Sequence, residues 1–208
     1  MIVADFRVQT NQMNPVTPVT DVVDGAEGVE KRYWFVAIVN NNSERKTAEN
    51  LQKPWAKGAY ECYVPTQKKT RIWKNGRKNV VDEILLPAMI FIRCTKEKQK
   101  EAKQKRYVFS FLKDSASKDK GFYDAAIIPD YQVERFRNLL ENSDKPVSVE
   151  NTHFKLGDKV KVTGGSLIGL EGNVIREPNA MYLVIRIETL GYAKVQIDPN
   201  EVELVNEQ

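Results

Sequence analysis

Between Tyr63 and Val81 the chain carries Lys68, Lys69, Arg71, Lys74, Arg77 and Lys78, and no carboxylate at all. Cations at this density suit one chemistry above others: they neutralise phosphates and release condensed counterions, which needs no fixed geometry. Trp73 sits among them, and an indole can stack on an unpaired base. Arg71, Trp73, Lys74, Arg77 and Lys78 are therefore the first candidates for contact with nucleic acid. Arg45 and Lys46 form a weaker second group. A solvated, charged surface would look the same, and both readings stay open.

Catalysis has little to work with. His153 is the only histidine, and Cys62 and Cys94 are isolated in apolar, strand-like runs without metal-ligand spacing. No Ser-based elbow, P-loop or paired carboxylate in a Gly-rich cleft is present, so no catalytic constellation can be assembled. Neither a cofactor nor a metal is expected. The run GGSLIGLEG superficially resembles a dinucleotide loop, but such a loop must open a helix, and here NVIRE leads to Pro178. An enzyme with an unrecognised site is the weakest of the function classes.

The 208 residues are 41% hydrophobic and 29% charged, enough for one sizeable core and a smaller one. No stretch approaches the roughly 18 consecutive apolar residues that span a bilayer. The start, MIVADFRVQT, lacks the regions of a secretory signal. These features predict a cytoplasmic monomer with no membrane partner. Residues 1–30 hold five carboxylates against Arg7, a net of −4, so the rest is +8 within a total of +4. An acidic tail on a basic body points weakly towards nucleic acid.

The elements that must position these groups follow from periodicity. Residues 1–30 show neither helical nor strand period and read as a disordered extension. YWFVAIV from Tyr33 is a strand buried on both faces. Ser43 is a helix N-cap, with Glu44 in the first turn and Ala48, Leu51 and Trp55 at helical spacing. YECYVP is a strand stopped by Pro65. KKTRIWKNGRKNVVDEILL is a hairpin in which Asn75-Gly76 supplies a type I′ turn. AMIFIRC is a strand, Lys96–Arg106 a Lys-rich helix with Ala102 as its apolar position, and YVFSFL another strand. Residues 113–122 are a loop and Ile127-Ile128 a short edge. A helix from Pro129-Asp130 lines Val133, Phe136, Leu139 and Leu140 on one face. The mixture predicts an α+β layer with a largely antiparallel sheet over 31–142, and residues 143–153 read as a linker.

From 154 to 208 the runs KVKVTG, GNVIRE, YLVIRIE, AKVQI and EVELV are short, β-branched and separated by turn signals, which predicts a small closed β-barrel. Gly157, Val160, Val162, Gly165, Gly169, Gly172 and Val174 carry its pattern: valines for the core, glycines for a tight loop. Ser166, Leu167 and Ile168 at the loop tip either meet a partner or cap the barrel.

This glycine and valine pattern resembles the KOW motif of ribosomal proteins and NusG-type transcription factors, an SH3-like barrel. The segment before it strengthens the likeness. Trp34-Phe35-Val36, Val64-Pro65 and Leu86-Pro87-Ala88-Met89-Ile90 resemble the Trp-Tyr-Val, Val/Ala-Pro and Phe-Pro-Gly/Ser-Tyr-Val stations of a NusG N-terminal α/β sandwich. The resemblance covers about residues 32–206. Its departures, Leu-Pro-Ala-Met, the basic NG hairpin and the acidic N-terminus, are more similar to the operon-specific RfaH and UpxY type. That type promotes elongation through long surface-polysaccharide operons.

The resemblance implies a transcription elongation or antitermination factor that binds the clamp helices of the RNA polymerase β′ subunit and bridges to the gate loop of β. It also implies nearby upstream or non-template DNA, and a KOW domain that recruits ribosomal protein S-ten, Rho or a cognate antagonist. Trp34, Phe35, Tyr60, Tyr63, Met89 and Phe91 are the candidate polymerase contacts, since aromatics dominate interface energetics. Strand aromatics are as often core, and alternation forbids Trp34 and Phe35 from both facing out. The gate-loop contact would fall near Lys96–Glu101, where no family motif is matched. A ribosome-associated, RNA-binding KOW protein is the alternative.

Overall fold

The computed structural model describes residues 30–114, 124–151, 154 and 156–205. The acidic extension, apart from Glu30, most of the 113–122 loop, and His153 lie outside the described residues. Residues 31–208 form one body, a mixed α/β structure with antiparallel sheets.

Its first layer is built on two apolar strands, β1 (Tyr33–Val39) and β5 (Met89–Cys94), paired antiparallel with Val36 opposite Phe91. β2 (Glu61–Tyr63) pairs with β5 and β6 (Val108–Phe111) with β1, giving the order β2-β5-β1-β6. Because successive side chains alternate, β1 feeds two cores. Phe35, Ala37 and Val39 lie in one with Ile90, Ile92, Leu51 of α1 (Glu44–Leu51) and Ala102 of α2 (Lys96–Lys103). Trp34, Val36 and Phe91 lie in the other with Phe136 and Leu139 of α3 (Asp130–Asn142). The expected apolar positions of α3 are all buried.

Two local expectations differ in detail. Ser43 precedes α1, but its side chain makes no capping bond. The buried Glu44 is turned inward instead, and its Oε1 accepts the Ala88 N–H at 2.7 Å. After Leu51 the chain breaks as Pro54 demands, into a short 3-10 turn at Pro54–Ala56 and left-handed Lys57 and Gly58.

The hairpin is β3 (Thr66–Ile72) and β4 (Lys78–Ile84), a separate two-stranded ribbon. Its turn is not type I′. Gly76 has φ of 77°, but Asn75 is not left-handed; Trp73 O accepts Gly76 N–H and Arg77 O accepts Trp73 N–H. A turn over Trp73–Gly76 with a single left-handed glycine closing it satisfies the ribbon's twist with one residue at positive φ rather than two.

The second layer holds all five expected strands: β8 (Lys159–Val162), β9 (Glu171–Glu177), β10 (Ala180–Ile187), β11 (Gly191–Ile197) and β12 (Val202–Leu204). It also holds one more. Val147–Glu150, inside the segment read as a linker, is β7, paired with β11. Its Val-Ser-Val-Glu alternation is a strand pattern that Pro146 and the short length disguised. The resulting order, β12-β8-β9-β10-β11-β7, is open: β7 and β12 are its edges, and no sheet among the described residues is closed. The expected closed barrel is therefore corrected to an open, six-stranded sheet, because β7 takes the outer side of β11.

Val160, Val162 and Val174 are buried in this layer. Gly172 is required by close approach, since a Cβ there would lie 2.7 Å from Val184 O. The two layers meet through α3. Arg135 pairs with Glu171 at 3.1 Å, Gln132 Oε1 accepts the Glu188 N–H at 2.7 Å, and one core runs from Phe91 and Phe136 to Val160 and Leu183.

β7 depends on Gly191. A Cβ there would sit 2.3 Å from Glu150 O, at a backbone φ of 105° that side chains rarely adopt. Gly191→Ala should therefore displace β7 and cost at least about 2 kcal/mol in urea unfolding. The same change at the exposed Gly76 tip tests specificity and should cost less. Equal, small losses at both sites would contradict the packing described.

Candidate protein and nucleic-acid interface

The ribbon register sorts the hairpin's charges. Gln67 opposite Glu83, Lys69 opposite Val81 and Arg71 opposite Asn79 share one face; Lys68 opposite Asp82, Thr70 opposite Val80 and Ile72 opposite Lys78 share the other. On the first face, Glu83 binds Lys69 at 2.7 Å and Arg71 at 3.4 Å. The hydrogen bond from Lys69 holds the Glu83 carboxyl below its usual range, with Arg71 assisting. Arg71 is thus partly neutralised within the ribbon, by a carboxylate that the cation-only reading of the hairpin missed: Glu83 sits one diagonal from Lys69, and Arg71 reaches it from one pair further along the same face.

The tip differs. Lys74, Arg77 and Lys78 are exposed, and no salt bridge to them occurs among the described residues. Trp73 is 60% exposed, with Ile72 and Val80 beside the same end of the ribbon at 67% and 60%. Cations and an accessible indole are therefore brought together at one place. Arg45 reaches the ribbon base instead, donating to Asp82 O at 3.2 Å, while Lys46 is exposed on α1.

The six aromatic and apolar candidates on the sheet are not brought to one surface. Trp34, Phe35, Tyr60 and Phe91 are buried, and they divide between the two cores. Their aromaticity serves packing: Phe91 lies 6.0 Å from Phe136, and Phe35 lies 6.1 Å from Phe111 in an edge-on contact. Tyr60 donates to Lys98 O, and burial pushes its phenol up to about 12. Tyr63 and Met89 are different. Both are half-buried, at the margin of the α3-side core, beside Leu85 and Leu86.

A compact polar cluster borders that margin. The Arg137 guanidinium lies 4.6 Å from the Tyr63 ring and 5.7 Å from the Trp34 ring, and Arg93 lies over Trp34 at 6.0 Å. Arg93 is paired with Asp130 at 3.0 Å and Glu61 at 3.6 Å, and Arg137 with Glu61 at 3.8 Å. Burial pushes the Tyr63 phenol up to about 12 despite the opposing pull of Arg137, so it stays protonated at neutral pH. An apolar edge ringed by guanidinium and carboxylate groups can dock a protein surface with matching charges at its rim. Arg93 and Arg137 were not anticipated; their spacing on β5 and α3 becomes meaningful only once the two elements pack.

The turn from β4 into β5 explains the Leu86–Met89 station. Ala88 holds a left-handed φ of 60°, its N–H bonds Glu44 and its carbonyl accepts the Val39 N–H. This is a conformation for which glycine is the ordinary choice.

In the C-terminal layer the glycine-loop candidates separate. Leu167 is buried at 8%, while Ser166 and Ile168 are exposed, Ile168 at 68%. Gly165 and Gly169 are both left-handed, as the loop requires. Cys62 and Cys94 are free thiols, both pushed up to about 12 by burial. Among the described residues no group of three or more His, Cys, Asp or Glu could hold a metal ion, and no helix is long and apolar enough to cross a membrane.

Comparisons with known proteins bear on this arrangement. No curated protein matches the chain. Among solved structures it is similar to Thermotoga maritima NusG, in a structure of that protein's domain interaction. That match has 21% identity and a TM-score of 0.47, covering 85% of this chain and 98% of that one. It is also similar to the MjSpt4:Spt5 complex. In conformation A the identity is 15% and the TM-score 0.30, covering 84% of this chain and 99% of that one. In conformation B they are 13% and 0.29, covering 84% and 97%. The family model described as transcription termination factor nusG matches residues 32–137, from the start of β1 into α3, which is 106 of the 208 residues. The chain belongs to the NusG family.

Proposed function

We propose that the protein is a transcription elongation or antitermination factor that binds RNA polymerase through its first layer. The carrying observation is the family match over residues 32–137, the segment that contains the Tyr63 and Met89 margin and the basic hairpin. Tyr63 and Met89, with Leu85 and Leu86 behind them, make the first contact with the clamp helices of the β′ subunit. Trp34, Phe35, Tyr60 and Phe91 support that margin from within the cores. The Arg93–Glu61–Arg137 cluster forms its polar rim.

The hairpin tip then lies beside upstream or non-template DNA, where Lys74, Arg77 and Lys78 meet phosphates and Trp73 meets an unpaired base. Arg71 contributes less, because Glu83 shares its charge. The C-terminal layer acts as a KOW-type module in which Ser166 and Ile168 meet a partner such as a ribosomal protein, Rho or an antagonist. Leu86-Pro87-Ala88-Met89, with Ala88 holding a glycine-like conformation, supports equivalence to the family's Phe-Pro-Gly-Tyr station while departing from it in sequence. That departure and the basic hairpin favour an operon-specific, RfaH/UpxY-type role in the cytoplasm. No catalytic step is assigned.

Docking is tested with the full chain. Tyr63→Ala combined with Met89→Ala should weaken capture of core polymerase at least about tenfold, as expected when two apolar anchors leave an interface, while the thermal melt shows the fold retained. Undiminished capture by the folded double variant would refute the assigned surface.

The hairpin is tested separately. Reversing Lys74, Arg77 and Lys78 to Glu should reduce pause suppression on nucleic-acid scaffolds and flatten its salt dependence by roughly 0.7–0.9 for each phosphate no longer neutralised. Polymerase capture should persist. Failure of capture would instead make the hairpin part of the protein interface.

A further inference from the structure

Asn75 sits at the hairpin tip with no role in the proposed contacts, and its setting suits a chemistry of its own. It is the only asparagine in the chain that is followed by glycine. The ribbon that presents it has two strands that pair only with each other, and residues 71–80 are all exposed. Gly76 has no Cβ, and the place where one would stand has nothing within 4 Å. The approach of the Asn75 carboxamide to the Gly76 nitrogen is therefore uncrowded. The Arg77 N–H donates to Asn75 Oδ1 at 3.1 Å. That bond folds the side chain forward over the Asn75–Gly76 peptide, and it polarises the carbonyl at which a nucleophile would attack.

One contact works against the attack. The Gly76 N–H donates to Trp73 O at 2.8 Å, and the nitrogen becomes a nucleophile only when that bond opens and its proton is lost. A solvated ribbon end opens at low cost, because an isolated two-stranded hairpin is marginally stable and local openings are cheapest where little is buried. The surrounding charge then favours the reaction. Lys74, Arg77 and Lys78 stabilise both the ionised amide nitrogen and the oxyanion that forms on Asn75. Asn79 supplies the contrast within the same ribbon. It is also exposed, but it is followed by the branched Val80 and is held in the ladder opposite Arg71. Its backbone is extended and its neighbour crowds the approach.

We propose that Asn75 is a modification site at which the chain changes the charge of its own hairpin tip, by cyclisation onto Gly76 and hydrolysis. The Gly76 nitrogen gives its proton to solvent hydroxide and bonds to Asn75 Cγ. The side-chain nitrogen leaves as ammonia, taking a proton from water, and a cyclic imide remains. Water then opens the ring at one of its two carbonyls. Cleavage of the new bond gives aspartate in an unaltered backbone. Cleavage of the original bond between the Asn75 carbonyl and the Gly76 nitrogen gives isoaspartate, with the chain running through the side chain. Either way, one carboxamide and one water become one carboxylate and one ammonium. The carboxylate stands among Lys74, Arg77 and Lys78 and offsets one of their charges. The conversion does not depend on what the hairpin binds; its weakening of phosphate contact rests on the proposed function.

The test incubates the full chain at neutral pH and follows each asparagine by peptide mass mapping, which reads the exchange of an amide for an acid. Acid should accumulate at Asn75 while Asn79 keeps its amide. Gly76→Ala, with a thermal melt to show the fold retained, should suppress the conversion. Asn75→Asp supplies the product with an ordinary backbone, and its binding to a labelled DNA duplex is followed by fluorescence anisotropy. Its salt slope should be shallower by roughly 0.9, as for one lost phosphate contact, so that affinity falls about 3.5-fold less between about 50 and 200 mM salt. An Asn75 that stays amidated, or converts no faster than Asn79, overturns the proposal. A slope unchanged in Asn75→Asp, when reversal of Lys74, Arg77 and Lys78 does flatten it, overturns the charge switch. If neither variant moves the slope, the proposed hairpin contact fails, and the modification stands or falls on its mass alone.

Discussion

The first layer hangs on the pairing of β1 with β5, two strands whose central residues are buried on both faces. Each residue of β1 must be apolar, because odd and even positions feed different cores: Phe35 and Ala37 towards α1 and α2, Trp34 and Val36 towards α3. That double burial fixes the register, since a slip by one residue would exchange the two cores. It also fixes where a partner can touch this sheet. A pair buried on both faces has no aromatic platform to display, so contact is left to its margin, at Tyr63 and Met89, and to elements that project from the two ends of β5.

The turn into β5 and the base of the hairpin are each held by a specific bond from the start of α1. Glu44 bonds the Ala88 N–H at the turn that starts β5, and Arg45 bonds Asp82 O at the hairpin base, so the start of α1 positions both the margin and the ribbon. At the other side, Gln67 of β3 makes reciprocal bonds with Val147, its Nε2 donating at 3.1 Å and its Oε1 accepting at 3.0 Å. The ribbon is therefore tied at its base to the segment that begins β7, while its tip carries the exposed Trp73, Lys74 and Arg77.

Much of this is legible in the sequence where local pattern and final environment agree. The run YWFVAIV announces a strand buried on both faces, the spacing of Val133, Phe136, Leu139 and Leu140 announces the buried side of α3, and the C-terminal runs announce their strands. What stays hidden depends on distant partners. Which of Trp34 and Tyr63 is accessible is decided by α3, and Arg137 acquires its place over both rings only when that helix packs. β7 is hidden because four residues after a proline carry too little period to distinguish a strand from a tether. The hairpin turn departs from expectation because Asn-Gly is compatible with more than one loop length, and the neutralising role of Glu83 follows from register, not from composition.

The central claim is that the polymerase contact lies at the sheet margin of the first layer, with the C-terminal layer free for another partner. Hydrogen exchange of the full chain with and without core polymerase tests it most directly. The account predicts new protection at residues 61–63 and 85–89, with residues 164–169 unchanged. Protection confined to residues 164–169, with the margin exchanging as in the free protein, would contradict it.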